Sequence, residues 1–264
     1  MSARFHDKVL LISGATGIAE ATALRAAAEG ARVFVASLGE EECRALAGKL
    51  SAAGAGSGFR AGDLAVAANA DEAVRVCRER FGRIDAVFNV AGLSGRKFGD
   101  GPLHECTEEG WDRTLNANAK SQFLVCRAAL RAMLEQPTGT DGLRGTILNM
   151  ASTLAFSPER RFFATHAYAA SKAAVIGMSR AMAAYYAPMK IRVNAIAPSL
   201  VRTPMSRRAQ EDPEVLALVR ERMPLREDML EAEDVAGAAL FLLSDEASGM
   251  TGSVLTLDGG WDVS

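Results

Sequence analysis

The chain has 264 residues, 49% of them hydrophobic, which is enough for one large α/β domain or two small ones. Its 30 Lys and Arg nearly balance 32 Asp and Glu, so no overall field recommends nucleic acid or an anionic membrane as a partner. Cys43, Cys77, Cys106 and Cys126 are scattered, without a C-x-x-C pair or a His cluster, so free thiols are expected rather than disulfides or a metal site.

In chain order, short β-branched runs predict strands at 8–13, 32–36, 58–61, 86–90, 146–150, 192–196 and 253–257. Helices are expected between them, near 18–29, 40–53, 69–81, 108–135, 167–187 and 231–244. Most of the strands are continuously apolar, as in a sheet covered on both faces. Their alternation with helices implies βαβ units and a parallel sheet, and the absence of a Pro/Ser-rich linker favours a single domain over residues 1–264. The longest irregular stretches are 93–107, 156–165 and 199–211. All follow strands of the second half, on the side where open α/β sheets bind ligands. The segment from Met1 to Asp7 is too short and polar for a secretion signal, and no apolar run approaches the roughly 18 residues of a membrane span, so a cytoplasmic location is expected.

Two local motifs carry chemistry. Ser13-Gly14-Ala15-Thr16-Gly17-Ile18 directly follows the first strand and opens a helix. Glycines there allow a tight turn and close backbone approach, and a helix N-terminus presents free N–H groups to a pyrophosphate. Tyr168 and Lys172 lie four residues apart in a run without Pro that is rich in Ala and Met, so one helix face carries both. A fixed cation beside a phenol favours phenolate. Lys172 is therefore expected to lower the Tyr168 pKa from about 10 toward the range useful for proton transfer.

Over nearly its whole length the sequence resembles the single-domain branch of the short-chain dehydrogenase/reductase family. That family's T-G-x-x-x-G-I-G loop is matched with Ser13 for Thr, one residue fewer between Gly14 and Gly17, and Ala19 for the third Gly. Gly62-Asp63-Leu64 resembles the adenine-contacting segment, and Asn89-Val90-Ala91-Gly92 resembles the N-N-A-G element along the cofactor. Asn118 falls at the helix Asn of the family's catalytic tetrad, with Asn116 as a decoy. Asn149-Met150-Ala151-Ser152 resembles N-I-S-S, which makes Ser152 the catalytic Ser and Thr153 its competitor. The interval from Ser152 to Tyr168 is longer than usual, and the extra length falls at 157–163. Ile191-Arg192-Val193-Asn194-Ala195-Ile196-Ala197-Pro198 matches I-R-V-N-x-I-x-P, and Asp258-Gly259-Gly260 matches the closing D-G-G.

The resemblance implies a Rossmann-type doubly wound fold with a seven-stranded parallel sheet, order 3-2-1-4-5-6-7, helices on both faces, and a homotetramer. It implies hydride transfer between a nicotinamide and a secondary alcohol or ketone. Tyr168 would be the proton donor or acceptor, Lys172 its electrostatic partner and a ribose ligand, Ser152 the contact to the reacting oxygen, and Asn118 the holder of a relay water. The implied cofactor contacts are Gly14, Thr16, Gly17, Ile18, Ser37, Asp63, Leu64, Asn89, Lys172, Val201 and Thr203. Ser37 and Leu38 stand where the family selects NAD with an acid or NADP with a base, and Glu40, Glu41 and Glu42 follow, so NAD is favoured over NADP. A small polar, sugar- or polyol-like substrate is expected. The alternatives are a 3-oxoacyl thioester reductase and a catalytically idle cofactor-binding scaffold. Arg160 or Arg161 could hold a substrate anion, although most exposed arginines are simply solvated. His166, two residues before Tyr168, is expected to be structural.

Overall fold

The structure, a computed structural model, describes residues 4–264; residues 1–3 of the N-terminal segment lie outside the described part. Seven strands form one sheet: β1 Val9–Ser13, β2 Arg32–Ser37, β3 Ser57–Ala61, β4 Ala86–Asn89, β5 Gly145–Met150, β6 Ile191–Pro198 and β7 Val254–Leu257. Every neighbouring pair is parallel, and the order is β3-β2-β1-β4-β5-β6-β7, as expected.

The apolar runs explain the two layers of helices. Within β1, Leu10 and Ile12 face one side and Val9 and Leu11 the other, because side chains alternate along a strand. The first side is covered by α1 (Ile18–Ala28), α2 (Glu40–Ala52) and α9 (Ala232–Leu243), through Ala19, Ala23, Leu46, Leu50, Val235 and Leu240. The second is covered by α3 (Ala67–Phe81) and α5 (Ser121–Glu135), through Val74, Cys77, Val125, Ala129 and Met133. Truncating one of the fully buried β1 leucines to Ala is worth about 2–5 kcal/mol. Among the described residues, no helix is long and apolar enough to cross a membrane.

Two departures from the sequence reading matter for the site. The helix expected over 108–135 is α4 (Glu108–Leu115), a π-helical turn Asn116–Lys120, and then α5. Such widened turns are frequent where a helix serves a functional site. The stretch 199–211, read as irregular, contains α7 (Arg207–Glu211), and α8 (Pro213–Arg222) follows it. Asp212 starts α8: its carboxylate accepts from the Glu214 and Val215 N–H groups, and Pro213 occupies the first turn, where no N–H is needed. The remaining helix, α6 (His166–Tyr186), packs on β6 and against α4.

Candidate active site

A cleft of about 610 Å³ runs along the carboxyl ends of the strands, lined from Ser37 and Asp63 at one end to Phe163 and Trp261 at the other. Its size is that of a small-molecule site. Two hydrogen bonds set its floor: the Ser13 hydroxyl, buried at the end of β1, accepts from the Val90 and Ala91 N–H groups just after β4. The segment 90–93 is thereby pinned beside the glycine turn, and both line the cleft.

Gly17 caps α1 without any side-chain cap, so among the described residues no side chain claims its N-terminal amides. A Cβ built on Gly17, which has φ +57°, would stand 3.0 Å from the Thr203 Cγ2, so glycine lets this turn and the 203–206 turn meet. The acid in the first turn of α1, Glu20, is drawn to Lys49 at 2.6 Å. The shortened loop therefore still delivers a free helix N-terminus to the cleft, and the residues present fit a dinucleotide pyrophosphate. Gly14, Thr16, Ile18, Ser37, Asp63, Leu64, Val201 and Thr203 line the cleft; Gly17 lies just behind it, against Thr203. Asn89 does not reach it. Its side chain is fully buried, donating to Asn149 Oδ1 at 2.9 Å and to Cys126 Sγ at 3.2 Å, and so ties β4 to β5.

Ser152, Tyr168 and Lys172 meet in the middle of the cleft. The Ser152 hydroxyl neighbours the Tyr168 phenol and favours its ionised form. Ser152 Oγ also accepts from the Leu154 N–H, whereas the Thr153 hydroxyl donates to the Pro198 carbonyl, which separates the two candidates. Lys172 is 2% exposed, its Nζ donating to the Met150 carbonyl at 2.9 Å and lying 5.5 Å from the Tyr168 ring centre. Asn116 is exposed and Asn118 buried. The Asn118 amide clamps the backbone of Leu93, donating to its carbonyl and accepting from its N–H. This fully buried amide fixes the cleft wall beside Lys172.

The electrostatics differ from the expectation that Lys172 lowers the Tyr168 pKa. Burial holds the Tyr168 phenol above its usual range, and the neighbouring Ser152 hydroxyl only partly offsets this. Burial also pushes Lys172 down to about 7. Desolvation disfavours the charged form of each group, and at Lys172 it removes much of the charge that was to act on the phenol.

Tyr168 is aimed by a residue the sequence did not advertise. The buried Asp100 accepts from the Ala167 and Tyr168 N–H groups, each at 3.0 Å, at the N-terminus of α6. His166 is exposed there, facing away from the cleft residues as expected. Arg160 is exposed outside the cleft, and Arg161 pairs with Glu214 at 2.8 Å. The extra segment 157–163 is shaped by Glu159, whose carboxylate accepts from the Arg161, Phe162 and Phe163 N–H groups. Trp261 braces it, donating to the Ser157 carbonyl and meeting Phe163 edge-on at 6.2 Å. Arg96, Lys97, Met205 and Arg208 also line the cleft; their only sequence signal was their place in the irregular stretches.

The family model described as enoyl-(acyl carrier protein) reductase matches residues 13–262. A D-threitol dehydrogenase of Mycolicibacterium smegmatis is 36% identical over 262 residues, covering 98% of this chain and 95% of that protein. A 2,5-dichloro-2,5-cyclohexadiene-1,4-diol dehydrogenase of Sphingobium indicum is 34% identical over 264 residues, covering 100% and 99%. The crystal structure of levodione reductase superposes with a TM-score of 0.88 at 32% identity, covering 98% of this chain and 99% of that one. The chain, with its parallel seven-stranded sheet and its Ser152, Tyr168 and Lys172 in one cleft, belongs to the short-chain dehydrogenase/reductase family of oxidoreductases.

Proposed function

We propose that this protein interconverts a small polar secondary alcohol and its ketone, with Ser152, Tyr168 and Lys172 as catalytic residues. The observation that carries this reading is that Ser152, Tyr168 and Lys172 line one ligand-sized cleft, with Lys172 one helical turn from Tyr168. A bound nicotinamide dinucleotide supplies or accepts the hydride. Gly14, Thr16 and Ile18 would hold its pyrophosphate at the start of α1, Ser37, Asp63 and Leu64 its adenosine half, and Val201 and Thr203 its nicotinamide end. Ser152 holds the reacting oxygen where charge develops. Tyr168, kept protonated by burial, gives its proton to that oxygen in reduction and takes it back in oxidation. Lys172, with a pKa near neutrality, replenishes the phenol while the Met150 carbonyl holds its Nζ in place. The polyol and diol dehydrogenases among its relatives support a polar, hydroxylated substrate.

NAD is the proposed cofactor. At the Ser37 end the cleft wall carries no cation, and its one carboxylate, Asp63, disfavours a further phosphate. Glu40, Glu41 and Glu42 lie outside the wall and favour the N-terminus of α2, so they are not the reason. A homotetramer is proposed from the exposed Trp111 and Phe123 on α4 and α5 and Tyr185 on α6, which need cover. Four free cysteines support a reducing, cytoplasmic setting for the chain as a single-domain enzyme.

The test follows reduced-nicotinamide absorbance with dihydroxyacetone, erythrulose and a 3-oxoacyl thioester as substrates. Turnover of the polyhydroxy ketones, lost in Tyr168→Phe, is expected. Equal rates in Tyr168→Phe, or an overwhelming preference for the thioester, overturns the reading.

A further inference from the structure

Three irregular stretches bring charge to one edge of the cleft. Arg96 follows β4, the Phe162 carbonyl lies between β5 and α6, and Arg208 lies on α7 after β6. Arg96 and Arg208 both donate to that single carbonyl, the latter at 3.2 Å, and Arg208 also lies over the Phe163 ring. Lys97, beside Arg96, lines the same edge. A guanidinium has five N–H donors, so one shared neutral oxygen leaves most of them free.

The carboxylates nearby are engaged elsewhere. Asp100 holds the start of α6, Glu159 holds the backbone of 161–163, and Glu214 pairs with Arg161. Asp212 caps α8 and stands 3.9 Å from Arg208. Among the described residues, neither Arg96 nor Lys97 forms an ion pair. Loss of water and then repulsion from Arg208 hold the Arg96 pKa below the usual arginine range. Both guanidiniums are exposed at the cleft edge, yet they share one neutral acceptor, and among the described residues the one carboxylate paired with either of them, Asp212, is 3.9 Å from Arg208. A cofactor 2′-phosphate is not its target, since that group belongs beside Ser37 after β2, and β1 and β4 intervene before β5 and β6.

We propose that Arg96 and Arg208, with Lys97, form an oxyanion-recognition rim that holds a carboxylate or phosphate of the substrate while Ser152 and Tyr168 hold its reacting oxygen. This rests on the oxidoreductase reading for the second half and narrows the polar substrate to one with an anionic end. Paired guanidiniums suit the forked oxygens of either anion, and the apolar wall of Phe163, Leu154, Met205 and Trp261 suits a short carbon body between the two groups.

Matched ketones test it: 4-oxopentanoate against its methyl ester, 5-oxohexanoate against its methyl ester for a longer spacing, and dihydroxyacetone phosphate against dihydroxyacetone. The wild-type protein is expected to favour the anion of at least one pair by about tenfold or more in kcat/KM, through KM. Which pair shows it separates carboxylate from phosphate. Arg96→Gln and Arg208→Gln should each bring that ratio toward one, Arg208→Lys less so, and salt raised from about 50 to about 500 mM should also narrow it. Arg160→Gln, on the same loop but outside the cleft, should leave the ratio alone. A wild-type ratio near one for every pair, or one insensitive to both glutamine variants, overturns the rim. A binding arm separates this from failure of the catalytic reading: 4-oxopentanoate and dihydroxyacetone phosphate are titrated calorimetrically into protein saturated with NAD. Anion binding weakened about tenfold by the glutamine variants, with no turnover of any ketone, sinks the oxidoreductase assignment and keeps the rim. Failure of both anions to bind wild-type protein sinks the rim.

Discussion

The side-chain oxygen of Asn118 fills the space where Gly92 would carry a Cβ: a methyl built there would stand 2.3 Å from Oδ1 and 3.8 Å from Lys172 Nζ. The strand end, the clamp on Leu93 and the Lys172 ammonium are thus packed into one contact. Gly92→Ala should push the amide out, costing roughly 1–3 kcal/mol by overpacking and most of the turnover. Urea unfolding and steady-state rates check this. Near-wild-type values in both would mean that the amide moves aside freely.

Tyr168→Phe should reduce turnover by about 10²–10⁴-fold while cofactor affinity, read by fluorescence titration, stays put, because only the transferable proton is lost. Ser152→Ala should cost about 10²–10³-fold. It also removes the hydroxyl that lowers the phenol's pKa. In that variant the alkaline limb of the pH–rate profile should move to higher pH, and a shift to lower pH would contradict the assignment.

Lys172 links stability to pH with a definite sign. Its folded pKa is about 7, below the unfolded value near 10.4, so between those values the unfolded chain binds more protons than the folded one. Its contribution to stability should therefore rise with pH across that window, with a slope approaching ~1.4 kcal/mol per pH unit, and be lost as pH falls through 7. Lys172→Met should flatten that part of the curve in denaturant melts of the cofactor-free protein. An unchanged slope would mean that the ammonium stays charged when buried.

With neither acid nor base at Ser37 and Leu38, the wild-type protein should bind NAD moderately and NADP no better. Ser37→Asp should tighten NAD by about tenfold or more through the ribose diol, and Leu38→Arg should do the same for NADP. Equilibrium titrations decide it. A wild-type preference for NADP would point to a cation outside the cleft wall, such as the exposed Arg60.

Asp100→Ala should cost about 1–2 kcal/mol as a lost helix cap, and it should lower turnover as well, since the amide of Tyr168 itself loses its partner. Asp100→Asn, which keeps one acceptor oxygen, should recover much of both. Turnover unchanged in the alanine variant would separate Asp100 from the alignment of Tyr168 on α6.

The sheet was legible because runs such as Val-Leu-Leu-Ile and Val-Phe-Val are apolar at every position, which only a strand covered on both faces requires. The meeting of Tyr168 and Lys172 followed from helical spacing alone. Their pKa directions did not, because desolvation is a sum over every neighbouring group and no motif carries it. The π turn at 116–120 adds one residue to a helical turn without a distinctive composition, so a straight helix was the natural expectation. The start of α8 is legible in Asp212-Pro213, an N-cap carboxylate followed by a first-turn proline. Arg160 and Arg161 were conspicuous in the right segment, yet that segment gives the cleft edge the carbonyl of Phe162. The cations there, Arg96 and Arg208, come from distant stretches that only the strand order brings together.

Asp100 gives the scaffold an unequal tolerance to change. Five residues from Gly95, it spans from the cation-bearing loop to the first amides of α6. Side chains at 96 and 97 can be exchanged without touching that strut, so substrate preference can drift there by point substitution. An insertion or deletion between 95 and 100 cannot be absorbed in the same way, because it would shift the carboxylate off the helix and swing the phenol out of register. New specificities on this frame should therefore arise by recolouring the loop at fixed length.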